Sequence, residues 1–128
     1  MRHKNAAPTK PSSRNNGFTL IEILMAIAVL GLLVAIAIPQ FMTYRSQAID
    51  AEMRSDLRNA SIAVEAYFAK QTVLPASTAE ITGWGFQSTA GVTMSYVVLS
   101  PTSYRLTAAK SGGTQSTFTY ESATGSIH

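Results

Sequence analysis

The chain contains no cysteine, so it can form neither a disulfide nor a thiolate nucleophile. Its only two histidines are His3 and His128, far from each other in the sequence. Without a thiol or histidine in the body of the chain, Cys–His and Ser–His catalytic arrangements are excluded. The glycine patterns that bind phosphates or dinucleotides are missing as well. We therefore expect a protein that is not an enzyme and that uses no cofactor.

Charged residues are scarce, at 13% of the chain, and the acids do not cluster at the spacing of metal ligands. No metal site is predicted, although a carbonyl-rich loop site for Ca²⁺ stays open. Four of the ten basic residues, Arg2, Lys4, Lys10 and Arg14, lie in the first 16 residues, which contain no acid. The remaining six basic residues face seven acids, a net charge of −1. The basic isoelectric point thus indicates membrane topology, and no nucleic-acid partner is predicted.

A long apolar run follows this basic segment. Every residue from Ile23 to Ile38 is apolar or glycine, and the whole run reaches the roughly 20 residues that a membrane-spanning helix needs. We predict this helix over 18–41, with the basic end in the cytoplasm and the C-terminal part across the membrane. A secretory signal places its apolar core before the cleavage site. Here the order is reversed, so the hydrophilic leader, residues 1–17, is the part expected to be removed.

The residues at this junction resemble a known family. Gly17-Phe18-Thr19-Leu20-Ile21-Glu22 and the apolar run after it resemble the class III leader of type IV pilins and pseudopilins. The resemblance implies that a prepilin peptidase cuts between Gly17 and Phe18 and methylates the nitrogen of Phe18. It assigns assembly roles to Phe18, Thr19 and Glu22, and it implies that the helix melts between Gly31 and Pro39 during assembly.

The resemblance extends to about Pro75 and includes the short pilins of the deltaproteobacterial kind, through 37–41 and 55–59. Two features depart from the family pattern. The leader is longer than is usual for the type IVa subclass, although Phe18 is the residue that this subclass uses. The absence of cysteine also means that the C-terminal disulfide loop of many pilins cannot form.

Glu22 is the one charged residue within the apolar run. A carboxylate at the middle of a membrane costs about 2.5–3.5 kcal/mol on insertion scales, so a functional role is the default expectation. The nearest cation after cleavage is the amine of Phe18. If Glu22 meets that amine on a neighbouring copy, the pair fixes the axial step between copies. The alternative is an incidental acid at the membrane interface.

Beyond the apolar run, residues 42–71 predict an amphipathic helix. Its apolar residues recur at steps of three and four: Ile49, Met53, Leu57, Ala60, Val64, Tyr67 and Phe68. The charged residues of this segment are expected to form a solvated face, with subunit contacts as the alternative. Asp50 and Arg54 are predicted to form an i,i+4 ion pair. Pro39, which removes a backbone donor, predicts a kink or local unwinding upstream.

The remaining residues predict a loop and a sheet. Pro75 ends the helix, and 72–91 is predicted as a connecting loop, in which Trp84 and Phe86 either cover the sheet or bind a partner. Residues 92–128 contain three alternating segments, at 92–96, 104–108 and 117–121. We therefore predict an α+β fold, in which a long N-terminal helix packs against a small antiparallel sheet of three to four strands.

The leading functional prediction is a major pilin that polymerises through its N-terminal helix into a cell-surface filament. Its expected partners are further copies of itself, the prepilin peptidase, an inner-membrane assembly platform and, before assembly, membrane lipid. The precursor is expected in the inner membrane and the product outside the cell. Two alternatives stay open: a pseudopilin or minor pilin, and a membrane-anchored binding domain that never polymerises. The sequence does not choose among motility, adhesion, uptake and secretion.

Overall fold

The computed structural model describes residues 17–128, so most of the predicted leader lies outside the described part. Helix α1 comprises Leu20–Gln71 and includes Gly31 and Pro39 without interruption. The chain divides into two units, one ending at Ala37 and the other formed by Ile38–His128. In the first unit, every described residue is exposed to solvent. By length and composition, α1 is the one helix within residues 17–128 that could cross a membrane.

The end of α1 is followed by a short helix that the sequence did not predict. Thr72 has a φ of +59° and donates its N–H to the carbonyl of Phe68 at 2.8 Å, which closes the last turn. Helix α2 then occupies Thr78–Gly83. The predicted connecting loop over 72–91 thus contains one short helix. Six residues are too few to show helical periodicity, and burial of Ile81 in the core holds this turn in place.

The second unit contains a four-stranded antiparallel sheet. Its strands are β1 Thr93–Ser100, β2 Ser103–Ala109, β3 Thr117–Glu121 and β4 Ser126–Ile127, and their order in the sheet is β1-β2-β3-β4. This arrangement confirms the predicted α+β fold with a sheet of three to four strands.

Two strands differ in extent from the alternating pattern. The predicted first strand stops at residue 96, because three apolar residues in a row then break the alternation. In the structure β1 continues to Ser100, since Val98 pairs with Tyr104 of β2. Strand β4 is only two residues long. It forms beside β3 because Thr119 and His128 exchange backbone hydrogen bonds of 2.8 and 3.0 Å.

The core of the second unit lies between α1 and the sheet. The helix contributes buried side chains at the predicted three- and four-residue steps, and the sheet contributes one face: Ile49, Met53, Leu57, Ala60, Val64, Tyr104, Leu106, Ala108 and Phe118. The predicted packing of the apolar stripe against the sheet is confirmed. Phe86 is buried in this core, whereas Trp84 is half-buried and packs edge-on against Tyr67, with ring centroids 5.5 Å apart.

Candidate functional site at the start of the long helix

The peptide bond between Gly17 and Phe18, at the start of the described residues, is accessible. Gly17, Phe18 and Thr19 precede α1, which begins at Leu20. Phe18 is 84% exposed, and a side chain added at Gly17 would meet no atom within 4 Å. The bond between Gly17 and Phe18 therefore lies in non-helical chain with free space on the glycine side. An enzyme that cuts here needs no unfolding of α1.

Thr19 and Glu22 form a reciprocal cap at the helix start. The Thr19 N–H and the Thr19 hydroxyl each donate to Oε2 of Glu22, at 2.8 Å in both cases. In return, Oγ1 of Thr19 accepts the N–H of Glu22 at 3.3 Å. This is a capping box, in which two backbone donors that have no partner within the helix are satisfied by side chains. The carboxylate also lies near the positive end of the helix dipole.

Of the three residues predicted to act in assembly, the structure joins Thr19 and Glu22, while Phe18 precedes them in the chain and is exposed. Reasoning from sequence gave no physical role to Thr19, although the spacing Thr-x-x-Glu before an apolar run was a readable signal for this cap. The carboxylate of Glu22 stays exposed while it is capped. Thr19 therefore orients this acid within one chain and leaves the carboxylate accessible to a cation.

Gly31 and Pro39 lie further along α1, outside this cluster. The helix has no break at either residue, and Gly31 has open space where a side chain would lie. The hydroxyl of Thr43 donates to the carbonyl of Pro39 at 3.2 Å. Proline has no N–H, so the carbonyl of Ala35 lacks its usual helical donor. Local unwinding near Pro39 therefore breaks one hydrogen bond fewer than elsewhere in the helix.

The acids of the amphipathic half of α1 hold the sheet unit. Asp50 accepts the N–H of Thr114 at 2.9 Å and also binds its hydroxyl. Glu52 pairs with Lys110 at 2.6 Å. The carboxylate of Asp56, only 2% exposed, accepts the N–H and the hydroxyl of Thr89 at 2.7 and 2.8 Å. These contacts tie two connections to the helix: the one between α2 and β1, through Thr89, and the one between β2 and β3, through Lys110 and Thr114.

The predicted solvated face is therefore only partly present: Arg54, Arg58 and Glu65 are exposed, whereas the acids that bind the loops are half-buried or, at Asp56, buried. Asp50 and Arg54 do not pair with each other, because Asp50 binds Thr114 and the guanidinium of Arg54 lies 4.5 Å from the Phe118 ring centroid. All seven carboxylates of the chain lie in the described part, and each accepts a hydrogen bond within it: Glu22, Asp50, Glu52, Asp56, Glu65, Glu80 and Glu121. Hydrophobic periodicity predicts which face of the helix carries these acids, but it does not predict which distant groups hydrogen-bond to them.

Tyrosines occupy the space between α1 and the sheet. The hydroxyl of Tyr104 donates to Oε1 of Glu65 at 3.0 Å, and its ring packs 5.8 Å from that of Tyr96. Burial, together with this hydrogen bond, raises the pKa of the Tyr104 phenol well above its ordinary value. Burial also raises the pKa of Tyr96 to about 12. Both groups are thus neutral phenols at ordinary pH, and their role is in packing. Within residues 17–128, no group of three or more His, Asp or Glu side chains is arranged to hold a metal.

Comparisons with known proteins agree with these features. A family model described as "Prokaryotic N-terminal methylation motif" matches residues 12–38, which include the cap and most of the apolar run. The chain is 37% identical to the "Type IV wide pilus major component PilA4" of Thermus thermophilus. That match covers 77% of this chain and 76% of the relative.

Other relatives match mainly over shorter segments. The "Type IV major pilin protein PilA" of Myxococcus xanthus is 36% identical over 45% of this chain and 26% of its own length. The "Type II secretion system core protein G" of Pseudomonas aeruginosa is 35% identical over 42% of this chain and 38% of its own length.

The structure and the methylation motif define the class of protein, and the similarity to the Thermus protein then defines its family. The class is an α+β protein whose exposed apolar N-terminal helix carries a methylation motif at its start. Because similarity to the Thermus protein extends over three quarters of both chains, this chain belongs to the type IV pilin family.

Proposed function

We propose that this chain is the major subunit of a type IV pilus. The observation that carries the proposal is an exposed apolar helix, behind a methylation motif, in a chain that aligns with a wide-pilus major component over most of its length. In water the apolar side chains of such a helix stay exposed, which is unfavourable. In a membrane, and then among the same helices of other copies, all of these side chains are covered.

The proposal gives each segment a task. Residues 1–17 are a leader that keeps the N-terminal side in the cytoplasm and is removed by the prepilin peptidase. Residues 18–41 anchor the precursor in the inner membrane and later form the filament core. Residues 42–71 join this core to the outer unit. Within 72–128, the loop with α2 and the sheet form the exterior of the filament. An inner-membrane assembly platform moves each subunit from lipid into the polymer.

Glu22 is the proposed assembly residue. Cleavage after Gly17 turns the amide nitrogen of Phe18 into a charged amine. In a dry bundle of helices, the Glu22 carboxylate requires a cation, and leaving one partner of a buried ion pair alone costs about 3–5 kcal/mol. The amine of Phe18 on a neighbouring copy supplies that cation. Because Thr19 orients the carboxylate at 2.8 Å, the acid is positioned before the neighbour arrives.

Gly31 and Pro39 are the proposed limits of a segment that unwinds when the subunit leaves the membrane. Glycine has a low helix propensity, and proline already removes one hydrogen bond from the helix. Inside lipid the backbone must stay hydrogen-bonded, so the helical form is favoured there. In the polymer, neighbouring copies are available to satisfy the freed groups.

Mass spectrometry of filaments sheared from the cell surface tests this proposal. The expected result is an abundant chain that begins at Phe18 and carries one added methyl group on its N-terminal nitrogen. The matched control is the same chain from cells without the prepilin peptidase, which should retain its leader in the membrane fraction. Only full-length chain in both fractions would contradict the proposal and favour a membrane-anchored binding domain.

A second candidate function is a pseudopilin of a secretion system. It rests on the 35% identity to a type II secretion core protein over 42% of this chain. A pseudopilin is expected to undergo the same processing without becoming the bulk of surface filaments. Quantifying the chain in the sheared fraction separates the two functions, since a major pilin should dominate that fraction.

A further inference from the structure

Strand β1 is the long open edge of the sheet. The order β1-β2-β3-β4 leaves one side of Thr93–Ser100 without a neighbouring strand. Within residues 17–128, its backbone hydrogen bonds go to β2 and to no other segment. The opposite edge, β4, is only two residues long. An unpaired strand edge offers a row of backbone donors and acceptors to another chain.

This edge carries apolar side chains where protective residues are expected. Val97, Val98 and Leu99 are 52%, 44% and 49% exposed. Natural proteins protect such edges with lysine, with other charges or with proline, but no charged residue and no proline occurs in β1. The register shifts between Val98 and Ser100, so Leu99 has no partner residue on β2. The ladder between β1 and β2 is thus regular from Thr93 to Val98.

Apolar exposure occurs on both faces of the strand. Val97 lies opposite the exposed Arg105, on the outer face of the sheet. Val98 lies opposite the buried Tyr104, on the face toward α1. Because successive residues of a strand point to opposite faces, an element lying flat on one face would cover only one of these valines. A partner that covers both must approach the strand edge-on.

We propose that the β1 edge is a contact between neighbouring copies of this chain within one filament. The proposal rests on the polymerising function proposed above. A neighbouring copy is the partner because the chain aligns with a pilus major component over three quarters of its length, and in a polymer each copy is surrounded by others. The outer face beside Val97 carries the polar residues Ser95 and Thr107 and the Arg105–Glu121 ion pair, so the apolar exposure is confined to the strand edge. The apolar edge is thus a distinct contact surface on this side of the unit.

The symmetry of a filament defines the contact further. Copies related by one repeated step meet head to tail, so each contact joins two different surfaces. The β1 edge of one copy therefore meets a different surface on the next copy, and two β1 edges do not meet each other inside one filament. Since β1 has no charge, the surface it meets needs no charge complementary to this strand.

Single cysteines test the contact cleanly, because the natural chain has none. Val97→Cys and Leu99→Cys are each labelled with a water-soluble maleimide, in membrane-held precursor and in intact filaments. Labelling in filaments should be at least about tenfold slower than in membranes, since thiol reactivity follows exposure. The controls are Thr117→Cys and Ser126→Cys, exposed on β3 and β4, and their labelling rate should be similar in both states.

A charge on the edge provides a second test. Val97→Lys should give a precursor that folds and is processed normally but yields few filaments, whereas Thr117→Lys should assemble like the natural chain. Equal labelling of Val97→Cys in membranes and filaments, or normal assembly of Val97→Lys, would overturn the proposal. Disulfides between two copies of Val97→Cys inside filaments would also overturn it. Failure of the natural chain to form any filament would instead contradict the proposed function itself.

Discussion

At the scale of single residues, the buried carboxylate of Asp56 is the most demanding polar contact in the second unit. It accepts two hydrogen bonds from Thr89 and so fixes the segment between α2 and β1 against α1. Its role differs from that of Glu121, which pairs with Arg105 at an exposed site. The two acids differ in burial. If a buried polar group loses its hydrogen-bond partner, water cannot replace that partner, whereas at an exposed site it can.

We predict that Asp56→Ala lowers the free energy of unfolding by about 1–3 kcal/mol, because the Thr89 amide then loses its partner in a part-buried site. Chemical denaturation of the detergent-solubilised chain, followed by circular dichroism, measures this change. Glu121→Ala is the matched control and should cost less than about 1 kcal/mol, as exposed ion pairs do. Equal losses in the two variants would contradict the assigned role of Asp56.

The two buried phenols predict how stability depends on pH. Their pKa values in the folded state are raised, to about 12 for Tyr96, from the ordinary value of 10.0. The unfolded chain therefore releases these protons first as the pH rises. Stability is fully present below pH 10 and should fall as the pH rises from 10 toward 12. Denaturation at a series of pH values measures the slope, and Tyr96→Phe should make it shallower. A slope unchanged by this substitution would contradict the prediction.

At the scale of elements, α1 has two different kinds of surface in its amphipathic half. Leu57 is fully buried against the sheet, while Ile62, five residues further on, is 66% exposed. Both are large aliphatic residues within the same helix, so composition alone does not separate them. Their positions around the helix do, because Leu57 follows Met53 by four residues on the buried stripe and Ile62 lies off it.

We predict that Leu57→Ala lowers the free energy of unfolding by about 2–5 kcal/mol, since it leaves a cavity between helix and sheet. Ile62→Ala, at an exposed position of the same helix, should change it by no more than about 0.5 kcal/mol. Thermal and chemical denaturation of both variants in the same detergent test the difference. If both cost the same, the core does not lie between this stripe and the sheet.

The elements also show where sequence patterns were sufficient. The buried stripe of α1 follows from apolar residues at steps of three and four, such as the buried Met53. The three main strands follow from alternation of apolar and polar residues, as at the buried Phe118 of β3. Helix α2 and strand β4 do not follow, because six and two residues are shorter than a readable period. They form only because Ile81 has a core to enter and β3 has a free edge to pair with.

At the scale of the whole molecule, the two units differ in burial: the second has a buried apolar core, and the described part of the first has none. The described residues of the first unit, up to Ala37, are all exposed, although nearly all of them are apolar. The second unit has its own core and binds all of its acids internally. A single copy therefore has a packed core in its C-terminal unit and none in the described part of its N-terminal unit, as expected of a subunit that assembles through that helix.

We predict that Glu22→Gln abolishes filaments while cleavage and methylation continue. Glutamine keeps the cap with Thr19, since Gln serves at this position of a capping box, but it removes the charge that the Phe18 amine of a neighbour needs. Electron microscopy and the mass of sheared protein measure filament yield, and the mass of the membrane-held chain measures processing.

Thr19→Ala is the matched control for this experiment, because it removes the capping hydroxyl and keeps the carboxylate. We expect this variant to assemble, because the backbone N–H of residue 19 still donates to the Glu22 carboxylate and orients it. Normal filament yield from Glu22→Gln, or loss of filaments from Thr19→Ala alone, would show that the acid acts through the helix cap and not through its charge.

The sequence by itself determined the features that depend on local order along the chain. These are the basic N-terminal segment, the apolar run with its single acid, the buried stripe of α1 and the alternating strands. Each is a property of neighbours within a few residues, and hydrophobic periodicity or membrane cost is enough to recognise it. The Thr19–Glu22 cap belongs to this group, since its spacing is local too.

Only the tertiary structure decided which distant groups meet. That Asp50 holds Thr114, that Asp56 holds Thr89 and that Tyr104 reaches Glu65 depends on the register between helix and sheet. The open β1 edge likewise depends on strand order, which no single strand specifies. Contacts between residues more than thirty positions apart are selected by the packing of the entire core, so no local pattern in the chain records them.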